Sequence, residues 1–263
     1  MANKDFQNGL IVGLSAGSVK VASGGTDWGD TITDDWATII SNAAAGTVSG
    51  YTVGQTKTVE FIYNGMPAAI QFMLVAKSHE TISGSQDKAA LTFMAKYIQL
   101  HGQMNDTNTN VGGWLGATGD LYADSLNETD NELTYGCVAR KMLWQLYKAF
   151  PSALQTGIKT VDKEYDDADD SVRTSKEKLF LPCLEEVGAT YNNGSAMTNE
   201  SIYTYFNASA DNKKLTGFGA PYYSLRVRRK TNTAQFCVVT TSSGSGTANN
   251  ASTTNAFCPI FCI

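Results

Sequence analysis

Tyr222–Ile263, YYSLRVRRKTNTAQFCVVTTSSGSGTANNASTTNAFCPIFCI, decides how the fold is read. YYSLRVRR, QFCVVTT and AFCPIFCI are strand-like runs, rich in aromatic and β-branched residues. The small-residue connector TSSGSGTANNASTTN separates the last two. Between Thr231 and Ile263 there is no charged side chain, and three of the chain's five arginines, Arg226, Arg228 and Arg229, stand together just before that neutral stretch. Tyr222, Tyr223, the arginine cluster and the Ser/Thr/Asn surface have the chemistry of a recognition face. Tyrosine offers large contact area at low entropy cost, and Ser, Gly and Asn offer adaptable hydrogen bonding.

Upstream, the pattern mixes strands with a few helices. TKTVEFIYNGMPAAIQFMLVAKS reads as two strands about Asn64-Gly65, a dipeptide that closes tight hairpins. Asp34 or Asp35 is placed to cap a short helix carrying Trp36, Ile39 and Ile40. Ala89–Gln99 fits strand or helix by period, and its β-branched and aromatic content favours strand. Leu133–Phe150 is the best helix, stopped by Pro151, and Pro151–Thr160 adds a second short one. Lys178–Leu184 reads as a strand and Leu184–Gly188 as a turn. Residues 102–120 and 190–220 read as long ordered loops.

Composition narrows the function. The chain has 263 residues, 17% charged, with a formal net charge of −5. That balance argues against wholesale nucleic-acid binding, and no apolar run is long enough to insert in a membrane. The apolar patch Leu10–Leu14 follows an acidic residue and lacks the lead of a secretory signal. Two histidines, His79 and His101, leave little room for a histidine-rich metal site or a hydrolytic triad. The acidic run Asp162–Asp170 lacks the order of a calcium loop and reads as a solvated loop. The five cysteines, Cys137, Cys183, Cys237, Cys258 and Cys262, contain no CxxC pair. They read as reduced, mostly buried thiols, with one disulfide among Cys237, Cys258 and Cys262 as the alternative. Neither a cofactor nor a metal ligand set nor a catalytic residue is expected.

Several segments together carry a resemblance: NGLIVGLSAG, VGQTKTVEFIYNG, QMNDTNTNVGGW, ALQTGIKTVDK, KLFLPCLEEVG and the ending QFCVV…AFCPIFCI. Over roughly residues 28–263 the chain resembles a domain family of uncharacterised function, found in phage and prophage tail-associated proteins of gut Firmicutes and in bacterial surface proteins. Members are similar to the variable proteins of diversity-generating retroelements, whose C-terminal coding segment is rewritten at adenines. The resemblance implies an α+β, C-type-lectin-like fold with a short antiparallel sheet, one or two helices and long ordered loops. The closing pattern is matched by Ala256–Cys262, with Ala256 where the family has Gly. Ser224–Arg228 departs from the family's W-x-R-S-P, lacking its Trp, Ser and Pro. Altered Asn codons never yield Lys, Gln, Glu, Met or Trp, and within 222–263 only Lys230 and Gln235 belong to that set.

On that resemblance, Phe236, Cys237, Val239, Phe257, Pro259, Phe261 and Cys262 are assigned to the core. Tyr222, Tyr223, Ser224, Arg228, Arg229, Thr231, Asn232, Thr240, Ser243, Ser245, Thr247, Asn249 and Thr254 are assigned to the ligand-binding face. The expected organisation is an attachment or oligomerisation segment over 1–55 and a lectin-like domain over 56–263, with its variable region at 222–263. The expected function is a non-enzymatic receptor-binding protein of a phage tail tip, made in the bacterial cytoplasm and carried on the virion. Its partners would be a host-cell surface protein or glycan, other tail proteins, and further copies of itself, a trimer being favoured. The alternatives are a bacterial surface adhesin and a copper-dependent enzyme of the formylglycine-generating kind, using Cys258 and Cys262.

Overall fold

The closing octapeptide AFCPIFCI ties two sheets together. Its first half, β11 (Asn255–Phe257), joins a six-stranded sheet, and its second half, β12 (Ile260–Cys262), joins a four-stranded one. Pro259 lies between them, where its missing N–H breaks the ladder. This computed structural model describes residues 11–12, 30–63, 66–96, 100–105, 107–108, 114, 137–166, 171–215, 220–230, 232 and 234–263.

The architecture is α+β with mostly antiparallel sheets. The larger sheet has the order β1-β5-β11-β8-β9-β10, using β1 (Ile11–Val12), β5 (Leu100–Gly102), β8 (Tyr222–Arg228), β9 (Gln235–Thr240) and β10 (Gly246–Asn250). Its β11–β8 pair is parallel. The smaller sheet runs β12-β4-β3-β2, with β2 (Thr56–Tyr63), β3 (Met66–Lys77) and β4 (Leu91–Ala95). A two-stranded ribbon pairs β6 (Val161–Asp166) with β7 (Val172–Glu177). The β2–β3 register closes with Tyr63 opposite Met66, as expected for a hairpin about Asn64-Gly65.

Helix α1 (Trp36–Ala44) is capped by Asp35, whose carboxylate accepts the Thr38 N–H at 2.8 Å. Helix α2 (Val138–Ala149) ends at Phe150 before Pro151, and α3 (Ser152–Gly157) follows. Phe261 sits where these pieces meet. Its ring stacks on Phe93 at 5.6 Å and meets Phe72 at 4.8 Å, Trp36 at 5.7 Å and Phe150 at 6.1 Å. One C-terminal side chain thus anchors α1, β3, β4 and the end of α2, with edge-to-face geometry against Phe72 and Phe150.

Residues 30–55 are part of this core. Asp30 accepts from the Thr58 N–H and hydroxyl and from Gln71 Nε2 at 2.7–3.0 Å, and the Thr31 and Ile32 N–H groups bond Thr56. Of the segment expected to serve attachment, residues 30–55 pack on the sheets, while 1–10 and 13–29 lie outside the described residues.

Several local expectations change. Lys178–Leu184 is not a strand. Phe180 alone bridges Ile260, and Pro182, without an N–H, prevents the ladder from extending. Leu184–Val187 is a helical turn, α4, closed by Gly188 in the left-handed region (φ 63°), where a side chain would also run into Ile202. The start of the acidic run is strand β6, with Lys163, Glu164 and Asp166 buried, so it is not a solvated loop; residues 167–170 lie outside the described residues. Within 190–220 stand α5 (Thr204–Ala208) and the 3-10 turn Ala210–Lys213.

Candidate functional site

The C-terminal strands do not form a one-sided display face. Every residue of β8 after Tyr222 is buried, and so are Phe236–Val239 of β9. Tyr223 lies opposite Val239 and Ser224 opposite Val238, so neighbours pointing to both sides of the sheet are enclosed. This corrects three assignments to the ligand-binding face. Tyr223 is fully buried, and its hydroxyl donates to the Lys213 carbonyl at 3.3 Å beneath the 3-10 turn. Ser224 is fully buried. Arg228 is 2% exposed, with its N–H bonded to Asp166 Oδ1 at 2.9 Å and its Nε 3.4 Å from Asp166 Oδ2.

The other assigned residues that the structure describes lie along the outer strand and at the ends of β8 and β9. β10 is the sheet's edge strand, with Thr247 and Asn249 on one side, facing Val238 and Phe236 of β9. Both are half-buried, whereas Ser243, Ser245, Asn250 and Thr254 are exposed. Tyr222 and Thr240, also half-buried, pair at the near end of β8 and β9. Gly244 (φ 72°) accommodates the turn that returns the chain from β9 to β10. At the far end Arg229 donates to Gln235 Oε1 at 2.6 Å, and Asn232 accepts the Ala234 N–H at 2.8 Å. Gln235 Nε2 reaches Asn250 at 3.1 Å, and Asn249 Nδ2 reaches Asn255 at 3.0 Å. Thr231 lies outside the described residues. All seven residues assigned to the core, Phe236, Cys237, Val239, Phe257, Pro259, Phe261 and Cys262, are buried.

What holds β8 in place is a buried charge cluster that the sequence did not reveal. Lys163 on β6 places its ammonium 2.5 Å from Glu80, 2.5 Å from Glu186 and 2.7 Å from Glu200. Arg226 on β8 pairs with Glu186 at 2.6 Å and Glu200 at 2.8 Å, and donates to the carbonyls of Glu164 and Leu181 at 2.7 and 2.8 Å. Tyr203 donates to Glu80 and is 2.9 Å from Glu186. Oxygens of Glu80, Glu186 and Glu200 lie within 4.8 Å of one another, a spacing suited to a cation. The Lys163 ammonium already fills that role. Burial alone would push Lys163 down, but Glu186, Glu80 and Glu200 outweigh it and hold the ammonium charged. Burial likewise works against ionised Glu186, yet Arg226 and Lys163 hold it far below the usual carboxylate range. Burial, followed by repulsion from Glu186, raises Glu200.

Two of the carboxylates, Glu80 and Glu200, also line a polar pocket. A pocket of about 270 Å³ is lined by His79, Glu80, Lys88, Asn199, Glu200 and Ser201, among others. The three carboxylates and two cations are scattered from Glu80 to Arg226, on different elements, so no local motif signals them.

All five cysteines are free and buried. Burial pushes every thiol up, Cys137 to about 12. Cys258 and Cys262 are fully enclosed, with Cys262 Sγ 3.7 Å from the Thr92 hydroxyl, a setting without the access that a copper-binding pair needs.

A family described as a domain of unknown function (DUF6273) matches residues 90–263, and the chain belongs to it. Nothing among curated proteins or solved structures matches the chain.

Proposed function

We propose that this member of the DUF6273 family is a ligand-binding module whose contact surface is the rim of the six-stranded sheet: β10, the turns on either side of it, and the ends of β8 and β9. The carrying observation is the character of that edge. An exposed edge strand is ordinarily guarded by charge or proline. Here the whole stretch from Thr231 to Ser252 is without either, and exposed Ser243, Ser245, Asn250 and Thr254, with half-buried Thr247 and Asn249 beside them, present a neutral polar surface. Beneath them β8 and β9 are enclosed on both sides, so rim residues are able to change while the frame stays fixed.

Hydroxyls at the Tyr222 end of the rim and neutral amides at its other end suit a glycan or a polar protein surface, taken by hydrogen bonds and by contact with the tyrosine ring. Such binding needs no covalent step. The C-terminal resemblance supports a place at a phage tail tip, with a C-type-lectin-like frame and a host-cell surface ligand; repeated copies, as in a trimer, would add avidity.

The test is binding of the fluorescently labelled chain to a panel of bacterial cells and to a glycan array. Paired Thr247→Arg and Asn249→Arg changes should abolish retention, while Lys57→Glu, on the distant β2, should leave it intact. Retention that ignores the rim changes and falls with Lys57→Glu would refute the reading.

A further inference from the structure

His79 and Ser201, 122 positions apart, meet at the mouth of the polar pocket. The Ser201 hydroxyl lies 2.9 Å from Nε2 of His79, and Nδ1 of the same ring lies 3.2 Å from Oε1 of Glu80. Glu80 is buried, and its other oxygen meets the Lys163 ammonium at 2.5 Å. A carboxylate that only accepts hydrogen bonds settles the tautomer. The ring proton sits on Nδ1, and the Nε2 lone pair is left to take the proton of Ser201. Tyr203 holds the ring edge-on, with centroids 4.7 Å apart, and donates to the same Glu80 oxygen at 2.7 Å. Hydroxyl, imidazole and carboxylate thus stand in the order of a nucleophile, its base and the group that orients the base. Ser201 is exposed, so a substrate can reach it.

We infer that Ser201, His79 and Glu80 form a hydrolytic site for small acyl esters of polar alcohols. The inference does not depend on the rim-binding reading, because the two sites use different elements. His79 and Glu80 precede the residues matched by the family, and Ser201 lies within them. A pocket of about 270 Å³ admits a short acyl group. Its lining by Thr81, Thr174 and Asn199 suits a hydroxyl-rich alcohol, while Asp162, Glu164 and Glu200 disfavour an anionic one. Lys88 lines the same pocket, where its ammonium donates to Thr81 Oγ1 at 2.7 Å and sets positive charge in the wall.

The chemistry balances with water as the co-reactant. His79 Nε2 takes the Ser201 proton as Oγ bonds to the ester carbonyl carbon. The tetrahedral adduct collapses, the bond from carbon to the leaving oxygen breaks, and the alcohol departs with the proton from His79. Water then adds to the acyl carbon and gives a proton to Nε2. The bond from carbon to Oγ breaks, Ser201 recovers that proton, and the carboxylic acid leaves. Glu80 is a positioning residue: it keeps the tautomer and steadies the imidazolium without being protonated.

The experiment treats the full chain with a fluorophosphonate probe and, separately, with p-nitrophenyl acetate. A mass increment on the peptide bearing Ser201 is expected, with hydrolysis about 10²–10⁴-fold faster than in Ser201→Ala, the range that a positioned base contributes. Removing one exposed hydroxyl should leave the melting temperature unchanged, and His79→Ala should lose both readouts. A downfield Nδ1 proton resonance, kept in Ser201→Ala and lost in His79→Ala, reads the Glu80 contact. Absence of the adduct, or equal hydrolysis by the native chain and Ser201→Ala, would overturn the site. Absence of the resonance would overturn the role of Glu80.

Discussion

Replacing Arg226 with Ala removes the member of the C-terminal segment that the frame depends on most. The guanidinium is fully buried and makes four short contacts, two to the carboxylates of Glu186 and Glu200 and two to the carbonyls of Leu181 and Glu164. Its loss leaves Glu80, Glu186 and Glu200 with the Lys163 ammonium as their shared cation, beside neutral donors such as the Tyr203 hydroxyl. Breaking a buried ion pair from one side costs about 3–5 kcal/mol, and a carbonyl stripped of its donor adds about 1 kcal/mol or more. The contributions overlap, so a loss of about 4–5 kcal/mol is the sensible expectation. A domain of this kind has about 5–15 kcal/mol in all. Equilibrium unfolding in urea at neutral pH, read by tryptophan fluorescence, measures the change. Arg226→Lys, which keeps the charge but not the planar fork, should lose about half as much. Destabilisation by Arg226→Ala of less than about 1 kcal/mol, the scale of an ordinary surface change, would refute the reasoning.

Three further outcomes follow. Ellman's reagent should find no reactive thiol in the folded chain and five after unfolding, since every cysteine is buried with its thiol pushed up; rapid labelling of the native protein would contradict this packing. Burial raises the Asp166 carboxyl from 3.8 to about 6, so between those values the folded chain holds the proton more tightly than the unfolded one. The Asp166 contribution therefore falls as pH rises through that window, by at most about 1.4 kcal/mol per pH unit, and Asp166→Asn should flatten the slope in urea melts across it; an unchanged slope would count against it. Phe261→Ala should cost about 3–5 kcal/mol, read as a lower urea midpoint, because its ring meets Trp36, Phe72, Phe93 and Phe150 together.

The parts of the fold written in local chemistry were legible in the sequence. Asp35 and Pro151 fix a cap and a stop through their own backbone preferences, and α1 and α2 follow them; β2 and β3 pair on either side of Asn64-Gly65, two residues that lie outside the described ones. The apolar residues assigned to the core are buried for the same reason. Two things were not legible. The polarity of TSSGSGTANN hid β10, whose Gly and Asn residues disfavour strands in isolation and are held there by pairing with β9. Tyr223, Ser224 and Arg228 looked outward-facing because a Tyr, a Ser and an Arg usually are. Their burial follows from Asp166, from the carbonyl of Lys213, and from a sheet covered on both sides. The same holds for Lys163 and Ser201, whose partners come from remote segments.

The most direct measurement is a saturation scan of residues 222–263, with each variant displayed on yeast and scored for protease resistance. The account predicts intolerance at Tyr223, Ser224, Arg226, Arg228, Phe236, Cys237 and Phe261, and broad tolerance at Ser243, Ser245, Thr247, Asn249, Asn250 and Thr254. Tolerance at Tyr223 and Arg228 together with intolerance along β10 would contradict it.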